Sequence, residues 1–122
     1  MQKNSSIFIF EAAVQRPLNV VFKSSQGLWG GHDYIVEIVV ERKGLDAFDV
    51  VIDFRELESA LDELLGPVQG KLLSDIGLNT PQDLMQLIAK RMSEKIILPS
   101  RLREVNLVDG HQRRFSLTVT HG

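Results

Sequence analysis

Few imidazole or thiol side chains are available in this sequence to hold a transition metal or attack a substrate. Of 122 residues, three are histidines and none is a cysteine. The absence of cysteine removes disulfides, thiolate metal sites and a cysteine nucleophile together. A catalytic metal centre of the zinc type takes three neutral nitrogens and leaves a fourth position to water. Only His32 has a setting that suits chemistry, the stretch Gly27-Leu28-Trp29-Gly30-Gly31-His32-Asp33-Tyr34. Its glycines let backbone approach a ligand closely or turn sharply. Trp29 is placed either to line a pocket beside them or to plug the end of a sheet. His111 and His121 are distant in sequence, and one imidazole does not hold zinc with useful affinity. The plainer reading of His32 is a partly buried histidine at a strand start, bonded to backbone. That of Asp109, followed by Gly110, is the first residue of a turn.

The elements around these residues follow from periodicity. Tyr34, Val36, Ile38 and Val40 alternate with Ile35, Glu37, Val39 and Glu41, which predicts a half-buried strand over 34–42. Ile7, Phe8, Ile9 and Phe10 predict an earlier strand over 6–14. Between the two, residues 15–31 read as a long loop, broken by Pro17, Asn19, Ser24 and Ser25; long ordered loops are usually functional. Residues 43–49 read as a turn. Asp53 caps a helix, with Glu56 three residues on as a capping box requires, and Phe54, Leu57, Leu61 and Leu64 form its apolar stripe. Gly66-Pro67 stops it. A second loop covers 68–79. Thr80 and Pro81 open a second helix with Leu84, Leu87, Ile88 and Met92 inward, and Pro99 closes the segment. Strands over 102–108 and 114–120 finish the chain, joined by Asp109-Gly110 as a hairpin signal.

The order strand, strand, helix, helix, strand, strand predicts an α+β fold, a four-stranded antiparallel sheet with both helices on one face. The length fits one domain over 1–122. Hydrophobic residues make up 43%, and 14 basic against 16 acidic residues leave a net charge of −2. That balance argues against nucleic acid as a partner. No apolar run reaches the roughly 18 residues of a membrane span, and residues 1–6 are polar, so the expectation is a cytoplasmic protein. A short sheet has two open edges, which self-association removes, so a homo-oligomer is expected.

Several strings, in this order, resemble the 6-pyruvoyl-tetrahydropterin synthase and 6-carboxytetrahydropterin synthase family, the tunnelling fold. Phe10-Glu11-Ala12-Ala13 is similar to its Phe-x-Ala-Ala-His, and Gly30-Gly31-His32-Asp33-Tyr34 to its His-Gly-His-Asn-Tyr. Val51-Ile52-Asp53-Phe54 is similar to the start of its first helix. Residues Val68 to Asp75 line up with Leu-Asp-His-x-x-Leu-Asn-Asp, and Asn79 to Leu84 with Pro-Thr-x-Glu-Asn-Leu. The resemblance implies sheets side by side around a barrel, rings stacked in pairs (a hexamer of two stacked trimers), and a pterin-like or purine-like ligand bound between subunits. It also implies that Asp109 takes the place of the family's ring-anchoring glutamate, keeping the charge and two-oxygen geometry on a shorter stem. Gln82 and Trp29 join Asp109 as candidate ligand-binding residues.

The departures bear on activity. The family's three zinc histidines fall on Val14, Gly30 and His32, so His32 is a remnant and zinc is not expected. Its catalytic cysteine falls on Gln26, near Ser24 and Ser25, and its Asp-His relay on Gln69-Gly70. The expectation is a divergent relative with no catalytic residue, binding a heterocycle without the zinc-dependent reaction. The alternative is an active lyase of the family type with an atypical or metal-free site.

Overall fold

The computed structural model describes residues 8–23, 29–44 and 51–121, and Trp29 by its backbone only. Ser24, Ser25, Gln26 and most of the turn expected over 43–49 lie outside these residues. Strand β1 (Ile9–Lys23) pairs antiparallel with β2 (Trp29–Lys43), from Ile9 opposite Lys43 to Lys23 opposite Trp29. The loop expected over 15–31 is therefore strand for most of its length. Val14, Leu18 and Val20 alternate inward and are buried. Pro17 is tolerated because β1 is an edge strand, where a missing amide proton breaks no ladder bond.

Helix α1 (Phe54–Leu65) and helix α2 (Pro81–Lys95) follow, then β3 (Arg101–Val108) and β4 (Arg114–Thr118). The sheet order is β1-β2-β3-β4, all antiparallel. Arg103 is an extra residue on β3, because Val39 faces Glu104 while Val40 faces Leu102. The expected α+β arrangement is the one observed.

At α1, Asp53 Oδ1 accepts from Arg55 N at 2.9 Å. At α2 the capping box is complete: Thr80 Oγ1 accepts from Asp83 N at 3.1 Å, and Asp83 Oδ2 accepts from Thr80 N at 3.2 Å. The stripe of α1 is Leu57, Leu61 and Leu65, all buried, with Leu64 at its margin. Phe54, expected on that stripe, is 52% exposed. Leu84, Ile88 and Met92 are buried as expected, with Met85 and Ala89 beside them. These side chains close the core against Tyr34, Val36, Ile38 and Val40 of β2 and Leu102, Val105 and Leu107 of β3. Arg16 shares that side of β1 and reaches the acidic surface of α1, 2.7 Å from Asp62 and 3.0 Å from Glu58.

The opposite sheet face is mixed, with Ile9, Ile35 and Val39 among charged and polar side chains. Glu37 accepts from Gln15 at 2.9 Å and from Asn106 at 2.8 Å, and Glu41 pairs with Arg101 and Arg103. Among the described residues no helix is long and apolar enough to cross a membrane.

Candidate functional site

The site lies where β2 outruns β3. The pairing of β2 with β3 ends at Ile35 opposite Val108, yet β2 with its partner β1 begins six residues earlier, at Trp29. The overhanging ribbon leaves a groove of about 570 Å³ between its flank and the turn after β3. Pro17, Ile35 and Val108 supply apolar wall; Asn19, Asp33, Gln69 and Asp109 supply polar groups, and Tyr34 supplies both.

Gln69 is positioned by β1 itself. Its Oε1 accepts from Asn19 N at 3.0 Å and its Nε2 donates to Pro17 O at 2.8 Å, so the side-chain amide stands in for a neighbouring strand. Gly70, at φ 70°, turns the chain so that its own N–H reaches Asn19 O at 2.7 Å, and Lys71 O accepts from Val21 N at 2.9 Å. Segment 69–72 thus seals part of the open β1 edge. Gln69-Gly70 is a structural clamp, a role that needs no catalytic chemistry. Asn19 also donates to Asp33 Oδ1, at 2.5 Å.

Asp109 is held by its own turn. Oδ1 accepts from His111 N at 2.8 Å and Arg113 N at 2.9 Å; Oδ2 accepts from Arg113 Nε at 2.8 Å. The connection between β3 and β4 runs over 109–113, as the expected strand bounds require. Asp109 N donates to Arg113 O at 2.9 Å, and the left-handed residue is Gln112, at φ 61°. The Arg113 amide, with the His111 amide and the Arg113 guanidinium, holds the Asp109 carboxyl below its ordinary range against some desolvation. A carboxylate has about four acceptor sites, and three are in use here. The two-oxygen grip inferred from the resemblance is therefore not free, because both sites on Oδ1 are filled. Oδ2 keeps one.

Tyr34 is 5% exposed, and burial, reinforced by the negative charge of Asp109 and opposed by Arg113, pushes its phenol above the ordinary value. It stays neutral and keeps its proton as a donor. On its other side Tyr34 stacks on His32 at 6.0 Å, and Phe22 meets His32 edge-on at 5.2 Å. His32 is exposed, not partly buried as expected: it caps an aromatic cluster at the overhanging end.

Of the three candidate ligand residues, Asp109 lines the groove. Gln82 is exposed in the first turn of α2 and is not among the groove-lining residues. The backbone of Trp29 pairs with Lys23 at the far end of the ribbon. Asn19, Asp33, Tyr34, Gln69 and Arg113 are not among the expected ligand residues. Tyr34 reads as core from its period, Asp33 and Gln69 fall within motif strings without being singled out as ligand residues, and Asn19 and Arg113 sit in no local pattern.

The residues do not fit a three-imidazole centre. Val14 lies opposite Ile38, and the residue facing His32 is Val20. Six residues of strand, roughly 20 Å, separate Val14 from that point. Gly30 lies beside the imidazole, where an added Cβ would stand 3.6 Å from His32 Nε2, but it brings no ligand. No group of three or more His, Cys, Asp or Glu side chains able to hold a metal occurs among the described residues.

A four-stranded antiparallel sheet in chain order, with two helices between its second and third strands packed on one face, is the tunnelling fold. It is similar to Caenorhabditis elegans 6-pyruvoyl tetrahydropterin synthase, with a TM-score of 0.76 and 14% identity over 92% of this chain and 96% of that one. A catalytic-residue mutant of Plasmodium vivax 6-pyruvoyltetrahydropterin synthase superposes with a TM-score of 0.71 and 13% identity, over 93% and 99%. No curated protein matches the sequence. The family model of 6-pyruvoyl tetrahydropterin synthase matches residues 8–118, and the chain belongs to that family.

Proposed function

We propose that this chain binds a pterin-like or purine-like heterocycle in the groove beside Asp109 and does not carry out a zinc-dependent synthase reaction. The observation that carries the reading is the groove itself. A buried neutral phenol and a carboxylate meet there at the end of an apolar trough, the mix that orients a flat ring with one polar edge. Family membership supplies the ligand class, since the similar solved structures are pterin synthases by name. One donor of a 2-amino-4-oxo pyrimidine edge, the exocyclic amine or the ring N–H, takes the site that Asp109 Oδ2 keeps open. The flat face lies along Ile35 and Val108. Two of the positions that the resemblance assigns to zinc ligands are Val14 and Gly30 here, so neither brings an imidazole to His32.

Titration with pterin, neopterin, guanine and xanthine, followed by calorimetry, tests the pocket. Saturable binding of the amino-bearing rings is expected. Asp109→Ala should weaken it about ten- to hundredfold, the worth of hydrogen bonds to a charged acceptor. Unchanged affinity in that variant rules out the anchoring role. Incubation with dihydroneopterin triphosphate tests the enzymatic alternative, and turnover by metal-free protein would replace the present reading with it.

The chain also associates with copies of itself in this proposal. Strand β4 and most of β1 are open edges. Sedimentation velocity should show an oligomer, such as a hexamer of two stacked trimers with ligand sites between subunits. A monomer at tens of micromolar would contradict this.

A further inference from the structure

We propose that Arg113 is the specificity-determining residue of this groove, because its guanidinium holds the acceptor site that a ligand's amino-bearing edge must take. The proposal rests on the heterocycle-binding reading above and says which rings that site prefers and why.

A guanidinium and a 2-amino-pyrimidinone edge present the same pattern, N–H groups flanking one carbon. Arg113 Nε sits on Asp109 Oδ2 at 2.8 Å, so the protein supplies from its own chain the donor that the ligand would bring. The two partners are unequally fixed. The Arg113 side chain is 73% exposed and the Asp109 side chain 15% exposed. Two backbone amides hold Asp109 Oδ1, which stops the carboxylate from turning after a departing guanidinium. When Arg113 swings into water, Oδ2 stays where it was and gains a second open acceptor site. Binding thus exchanges one donor for another. The interaction broken is an exposed ion pair, worth less than a tenfold factor. An occupant that displaces it must donate in turn. A ring with oxygen in place of the amine sets acceptor against acceptor at Oδ2 and is not favoured by the exchange, although it can accept from the guanidinium where that remains.

The test uses the full chain with pterin and with lumazine, which carries oxygen at the position of the pterin amine. Arg113→Met keeps the aliphatic stem and removes every donor; Arg113→Ala is the second variant, and circular dichroism confirms that each folds. Both variants should bind pterin about two- to fivefold more tightly than the native chain. Lumazine should bind with unchanged or weaker affinity, and the gain for pterin should vanish when Asp109→Ala is added. Pterin affinity equal in the native chain and both variants, with Asp109→Ala still deleterious, overturns the role of Arg113 and leaves the pocket standing. Equal gains for pterin and lumazine also overturn it, since donor pattern would then play no part. Pterin binding to none of the proteins removes the pocket reading, and this inference with it.

Discussion

Leu61→Ala is expected to destabilise the chain by about 2–5 kcal/mol, as large-to-small changes in a closed core do. Leu61 is fully buried on α1, within the cluster that α2 and the inward side of the sheet complete. Truncation removes the transfer free energy of the deleted carbons and leaves a void that Leu57, Leu65 and the sheet can only partly fill. Domains of this size are stable by about 5–15 kcal/mol in all, so the variant should lose a large share of its stability. Urea denaturation followed by far-ultraviolet circular dichroism reads the change as a lower midpoint at constant slope. Phe54→Ala is the internal comparison. By spacing the two side chains belong to one stripe, but Phe54 is 52% exposed and its removal should cost well under 1 kcal/mol. Similar losses for the two variants would show that α1 is rotated from the arrangement described here.

Placing histidines at positions 22 and 30 is expected to give a chain that retains a single zinc ion, where the native chain is expected to retain none stoichiometrically. Phe22 lies directly opposite Gly30, and His32 is the next residue of β2 on the same face. The rings of Phe22 and His32 are 5.2 Å apart by centroid, and a Cβ at Gly30 would lie 3.6 Å from His32 Nε2. Three imidazoles at these positions converge on one point, and zinc–nitrogen bonds of about 2.0–2.1 Å are within their reach. Elemental analysis after gel filtration should find one zinc per chain in Phe22→His/Gly30→His and a substoichiometric trace in the native chain. The position that motif alignment assigns to the first family histidine gives the contrast. Val14→His/Gly30→His should retain no more zinc than Gly30→His alone, because residue 14 faces Ile38 and is roughly 20 Å along the strand. Stoichiometric zinc in the native protein, or equal retention by the two double variants, would refute the pairing register and the reading of His32 together.

Arg113, Asp109 and the aromatic cluster place the candidate chemistry at one end of the sheet, but little of that end is legible in the chain. Local signals agree with the fold where they are strong. Asp53 and Thr80 cap their helices, the leucine stripe of α1 is inward from Leu57 onward, and Tyr34 to Val40 alternate as a half-buried strand. The second half of β1 reads as loop although Val14, Leu18, Val20 and Phe22 alternate there. Pro17 and Asn19 are loop-forming residues by local preference, and the alternation is interrupted by Arg16. Pairing with β2 on one side and with 69–72 on the other overrides that preference.

Element order and the helix caps are therefore set by residue type and spacing, since caps and periods are properties of neighbours along the chain. Tertiary structure decides which residues share the groove. Asn19, Asp33, Gln69 and Asp109 span ninety positions, and no local pattern links them. It also decides that the Asp109 carboxylate faces a guanidinium four residues away across a turn, because the hydrogen bonds that close that turn form only when β3 and β4 pair.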